Sequence, residues 1–169
     1  MRRLTRAAGF AMTLACALTT STLSAAATAN AGPGANEPAH VVAMNTTFRR
    51  CDFSSSFGVA AGGPGRAYAI IREDPAVLTA EVHLDTGRPG THYDVRLIQM
   101  PQSPSVACVD SDPGIAVAGL DTDAAGNGTV TFGDKIRPGA TGAWVFMTLP
   151  GEFSSVPAQS YASDFVLAI

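Results

Sequence analysis

The sequence predicts an all-β protein, an antiparallel sandwich or small barrel of seven to eight short strands. Three observations carry this. Apolar and polar residues alternate with a period of two in several runs, turn-forming residues separate those runs, and no amphipathic helical run exceeds about two turns.

Leu78, Ala80, Val82 and Leu84 alternate with Thr79, Glu81, His83 and Asp85, which gives one apolar and one polar face. Tyr93, Val95 and Leu97 alternate with His92, Asp94 and Arg96 in the same manner, and Val130 and Phe132 with Thr129 and Thr131. At the C-terminus Tyr161, Phe165 and Leu167 repeat the pattern, with Asp164 facing outward. Residues 143–149 are apolar on both faces, as a central strand covered on both sides would be, and place Trp144 in a core or between sheets. Residues 39–47 and 66–72 are two further strands. Between them stand the turns: Asp85-Thr86-Gly87-Arg88-Pro89-Gly90, Asp123-Ala124-Ala125-Gly126-Asn127-Gly128 and Arg137-Pro138-Gly139-Ala140. Their Gly, Asn and Pro supply the backbone angles that tight reversals require. Spacing of this kind belongs to antiparallel sandwiches and barrels.

The first 31 residues read as a cleavable signal peptide. Arg2, Arg3 and Arg6 make a positive start, and residues 7–18 are apolar apart from Thr13, too short a run to span a bilayer. Small residues follow and fit cleavage after Ala31, with Ala29 as the second site. A membrane anchor and a lipid on Cys16 are the alternatives; Thr13 stands where a lipoprotein signal wants an aliphatic residue. The Arg2-Arg3 pair lacks the rest of a twin-arginine motif. Residues 32–38 then form a Gly/Pro/Asn-rich flexible leader and 39–169 one β domain, secreted to the exterior or the cell envelope, with no further membrane span expected.

Three of the 11 Lys and Arg fall in the signal, so eight remain against all 14 Asp and Glu, a net charge of −6. Such an acidic domain, with no Lys/Arg run, is a poor partner for nucleic acid or anionic lipid. Cys51 and Cys108 are the only thiols left once Cys16 departs. In an oxidising compartment they read as one bridge. Closing a loop of roughly 58 residues stabilises by about 4 kcal/mol on the chain-entropy model. A metal or redox pair would want C-x-x-C spacing or nearby histidines, and neither is there.

Leu84 followed by Gly87-Arg88-Pro89-Gly90-Thr91-His92-Tyr93-Asp94-Val95-Arg96-Leu97 resembles the L-x-P-G-T-x-Y-x-V-x-V segment of fibronectin-III-like and immunoglobulin-like sandwiches. The resemblance implies that Tyr93 packs at a strand corner with its hydroxyl bonded to nearby backbone. More chain follows than a fibronectin module has left, which implies a variant Greek-key order. The stretch from Thr91 through Leu120-Asp121-Thr122-Asp123 and Gly126-Asn127-Gly128-Thr129, with Gly142-Ala143-Trp144-Val145 and Tyr161-Ala162-Ser163-Asp164-Phe165, is similar to small uncharacterised secreted proteins of actinobacteria. That similarity brings no activity with it.

Candidate chemistry is sparse. His83 and His92 lie on polar faces of successive predicted strands and would approach each other if those strands pair; with Asp85 or Asp94 they could then hold a divalent metal. Two solvated histidines are the simpler reading. A dismutase-like copper–zinc site would need His-x-His, and only His40 remains as a third histidine. Asp121 and Asp123 with Gly126 look like the start of a calcium loop. However, Ala125 and Phe132 stand where an EF-hand has an oxygen ligand and its bidentate Glu, so a hairpin is the simpler account. With Asp110 and Asp112 a weak site built from several loops stays open. No G-x-S-x-G occurs, and Ser54-Ser55-Ser56 and Ser154-Ser155 read as loop residues. The carboxylate pairs Glu73-Asp74 and Asp110-Ser111-Asp112 could do acid–base work only in a cleft. Asn45 and Asn127 stand in N-x-[ST] sequons, meaningful only in a eukaryotic secretory pathway.

The expected function is binding through the surface, to a protein, an envelope component or a small ligand, without catalysis or a cofactor. A small hydrolase or metal-dependent enzyme with a loop-built site, and a weak calcium-binding module, are the alternatives. Intact-mass analysis of the exported protein should find an N-terminus at Gly32; a secreted species that retains Met1 would refute cleavage.

Overall fold

The computed structural model describes residues 38–56 and 61–169. The expected signal segment with its cleavage sites and Cys16, and the expected leader apart from Pro38, lie outside the described residues. Nine strands follow in order: β1 (Ala39–Asn45), β2 (Arg66–Glu73), β3 (Val77–Asp85), β4 (His92–Met100), β5 (Ile115–Asp121), β6 (Gly128–Lys135), β7 (Gly142–Gly151), β8 (Ser154–Ser163) and β9 (Leu167–Ala168). Every pairing is antiparallel, and the path through the sheet is β5-β4-β7-β8-β1-β2-β3-β6. The domain is thus all-β, as the alternation predicted, and its sheet curls into a near-closed barrel.

Two places keep the barrel from being uniform. β1 and β8 pair only through Met44–Ser163 and Asn45–Ala162, which pinches the eight-strand path into halves of four, with β9 added beside β7. On the opposite side β5 and β6 share no ladder among the described residues. There the closure comes from turns at one end. Gly87 N–H donates to the Gly126 carbonyl (2.8 Å), Gly90 N–H to that of Asp123 (3.1 Å), and Thr91 N–H to Thr122 Oγ1 (2.9 Å). Gly126 has φ of 83°, and a Cβ on it would strike the Gly87 backbone, so this interlock requires glycine. At the other end the seam widens into a notch of about 380 Å³ lined by Asp110, Asp112, Ile115, Val117, Phe132 and Asp134.

The predicted inward faces fill the barrel. Leu78, Ala80, Val82 and Leu84 of β3 and Tyr93, Val95 and Leu97 of β4 are buried in one cluster with Ala143, Val145, Met147 and Leu149 of β7. Each large aliphatic side chain so buried contributes roughly 1.5–3 kcal/mol. The Tyr93 hydroxyl accepts a hydrogen bond from Arg88 N–H (3.3 Å) and donates one to Gln159 Oε1 (2.7 Å), tying the preceding turn to β8.

The other face of β7 is also covered. Trp144 and Phe146 pack in a second cluster with Cys51, Ile98 and Ile115, against Phe48, Phe53, Val106 and Cys108. Phe53 meets Trp144 edge-on (5.2 Å) and Phe48 meets Phe146 likewise (5.7 Å). These residues come from the loops that follow β1 and β4, joined by the Cys51–Cys108 disulfide with its Cα atoms 5.7 Å apart. The two-sided apolar run 143–149 is therefore a central strand covered by barrel interior on one face and by loops on the other.

Three expectations need correction. β5 and the first part of β8 lie outside every predicted run. The predicted C-terminal strand is broken: β8 ends at Ser163, the chain steps aside, and β9 rejoins β7 at Gly142 and Ala143. Phe165 sits in that step and is 49 % exposed rather than on an apolar face. β1 stops at Asn45, whose Oδ1 accepts the Thr47 N–H (2.8 Å) and turns the chain. No helix among the described residues is long and apolar enough to cross a membrane.

Replacing both Cys51 and Cys108 with Ala should lower the free energy of unfolding by about 4 kcal/mol. Urea denaturation measures this, and a loss below about 1 kcal/mol would show that packing alone holds the loops.

Candidate functional site

The outward residues of β4 are His92, Asp94 and Arg96, and across the ladder Asp94 pairs with Thr148 and Arg96 with Phe146 of β7. This half of the sheet is the one the disulfide-tied loops cover. Where the cover ends, a cleft of about 460 Å³ opens to solvent, bounded by Phe48, Arg49, Arg50, Asp94, Arg96, Val106, the disulfide, Phe146 and Thr148, with Pro104, Pro150 and Pro157 at its margins.

Arg96 frames the cleft. Its Nε donates to the Cys108 carbonyl (2.8 Å), its Nη1 to Thr148 Oγ1 (3.0 Å), and its Nη2 lies 3.6 Å from Asp94 Oδ2. One guanidinium thus fastens the β4–β5 loop to the sheet, with geometry that only a planar fork supplies. Arg49 is held differently. Its guanidinium carbon sits 3.9 Å above the Phe53 ring centre, and Nη1 donates to the Phe53 carbonyl (3.0 Å) and weakly to Ser55 Oγ (3.4 Å). Its Nε is buried without an acceptor among the described residues. A tight reversal presents this pair of arginines: Arg50 N–H donates to Ser54 O (2.9 Å), Phe53 N–H to Arg50 O (2.9 Å), and Phe53 takes φ of 66°. Asp52 at its tip accepts from Ser54 Oγ (2.6 Å), and that hydrogen bond holds its carboxyl below the usual carboxylate range. The Arg50 side chain stands in solvent.

The residues singled out from the sequence lie elsewhere. β3 pairs with β2 and β6, and β4 with β5 and β7, so His83 and His92 do not meet: the strands that carry them are consecutive in the chain but belong to different halves. His83 stacks on Tyr68 (4.5 Å) between Glu81 Oε1 (2.9 Å) and Thr129 Oγ1 (3.1 Å). Glu81 also accepts from Arg72 (3.0 Å), and this bond first, with His83 second, keeps its carboxyl below the usual range. His92 Nδ1 lies 2.7 Å from Asp121 Oδ1 on the adjacent strand, at the cleft's far side beyond Asp94. Asp123 is a turn residue. Its carboxylate accepts the N–H groups of Asn127 (2.9 Å) and Ala125 (2.8 Å), which lowers its pKa and fixes the turn between β5 and β6. Asp121 and Asp123 therefore serve different partners. Asp112 likewise accepts Val109 N–H (3.0 Å), Asp74 accepts Ala76 N–H (3.0 Å), and His40 is exposed. Among the described residues no three His, Cys, Asp or Glu side chains group as a metal site would need.

Sequence reading missed the arginines, which are not adjacent in the chain. The available signal was the disulfide itself: Arg49 and Arg50 precede Cys51, so bridging to Cys108 carries them to the loop that leaves β4, the strand of Arg96. No protein-family model, curated protein or solved structure matches the chain.

Arg96→Gln removes two hydrogen bonds from a charged donor and should cost about 2 kcal/mol of stability. Hydrogen exchange should also quicken in 104–109 while β2 and β3 stay protected; uniform loss across the domain would contradict the clamp.

Proposed function

We propose that this chain is a non-enzymatic protein of the cell exterior or envelope, which holds a ligand in the cleft beside its disulfide-tied loops. The cleft's own chemistry carries the reading. Its side chains offer fixed cations and apolar surface, with Asp94 as the one carboxylate in the described lining and both cysteines oxidised. Arginine keeps its proton throughout the physiological range and does no acid–base work. Preformed concave sites with apolar walls and a few placed polar groups are the usual form of ligand pockets. Because Arg96 is already fixed from three sides, a ligand here meets an ordered wall and loses less on binding.

The disulfide agrees with an oxidising compartment, and so with export by the N-terminal signal. A Greek-key, immunoglobulin-like scaffold is part of the proposal. β6 lies beside β3 and β7 beside β4, so connections cross between the two halves in the way such orders require.

The test is a fragment titration of the signal-free protein followed by amide shifts. Perturbations centred on Phe48, Arg96 and Thr148 are expected; fragments that bind only elsewhere, or none that bind, would overturn the assignment.

A further inference from the structure

Resting on the cleft as the binding site, we infer that its ligand class is a small organic anion, a carboxylate or a phosphate ester bearing an apolar ring or short chain. The anionic group meets Arg49 and Arg50, and the apolar part lies against Phe48, Phe146 and Val106.

Charge distribution is the first ground. Beyond residue 31 the chain has eight Lys and Arg against 14 Asp and Glu, yet Arg49, Arg50 and Arg96 share one cleft, opposed by Asp94 in its lining and by Asp52 beside Arg50. The described lining is therefore net positive by two charges on a domain that is net negative by six. Low-dielectric walls around such a cleft focus its field on an incoming anion.

Donor availability is the second. Arg96 already serves Cys108, Thr148 and Asp94. Arg49 has one Nη bonded to the protein and its Nε is buried, and the Arg50 guanidinium has no hydrogen bond to the described residues. The free donors are thus the Arg50 guanidinium and the second Nη of Arg49. Guanidinium forks suit both carboxylate and phosphate. A lining that is net positive draws both anions, and the titration below distinguishes them.

Size and backbone geometry separate a small ligand from a peptide. A cleft of about 460 Å³ falls within the range of small-molecule sites. Its floor is formed by β4 and β7, each paired on both sides, so no strand edge is offered for an extended chain to join.

The signal-free protein is titrated with phenylacetate and hexanoate, with their neutral amides, with phenyl phosphate and with an Asp/Glu-rich peptide, while the amide spectrum is recorded. Each acid should bind roughly tenfold tighter than its amide, an advantage that high salt erodes. Arg50→Gln, at an exposed position, should remove most of that advantage, and Arg49→Gln with it the remainder, whereas Arg66→Gln and Arg88→Gln should leave it intact. Equal binding of acid and amide at the cleft would overturn the ligand class and leave the cleft reading standing. Tighter binding of phenyl phosphate would assign the phosphate ester within that class, whereas binding of the peptide alone would overturn it in favour of a macromolecular partner. Failure of every probe to perturb the cleft would remove both.

Discussion

A strand that is apolar on both faces needs two cores, and β7 imposes this on the whole domain. Ala143, Val145, Met147 and Leu149 meet the barrel interior, while Trp144 and Phe146 face away from it. An outer surface of that kind left to solvent would be an aggregation site. The chain covers it with two irregular loops, which among the described residues have no ladder of their own beyond the single bridge between Arg49 and Ser55. Loops so poor in backbone pairing stay in place through side chains: Phe48 and Phe53 from one, Val106 from the other, and a covalent link between them.

The cleft is a consequence of that roof. Loops that reach far enough to cover the indole stop short of Thr148 and Pro150, and the uncovered margin of the sheet becomes concave. Because the first loop enters through Arg49 and Arg50 and the second is fastened by Arg96, the margin is also cationic. Stabilisation and ligand chemistry thus share residues here. Arg96 holds the roof down and shapes the wall at the same time.

What could be read from the sequence follows side-chain size. β3, β4 and β6 alternate large apolar residues with polar ones and β7 is an unbroken apolar run, and they were legible for that reason. β5 was not, because Ala116, Ala118 and Gly119 give a weak pattern, and β8 mixes Pro157 and serines with its apolar residues. The disulfide was legible from compartment logic and cysteine count alone. The separation of His83 from His92 was not, since alternation says which face a residue takes and nothing about which strands become neighbours. The grouping of Arg49, Arg50 and Arg96 depends on a link across 57 positions and was hidden for the same reason.

The unladdered side of the barrel gives the molecule a direction in which it can yield. Turns at Gly87 and Gly126 interlock one end, whereas the far end, near Asp110 and Asp134, has no rungs between β5 and β6 among the described residues. Swinging those edges apart breaks no ladder among the described residues, and its backbone cost is correspondingly small. The carboxylates along that lip then guard the opened edges. Two such molecules meeting edge to edge would bring like charges together, and the encounter would fail to zip.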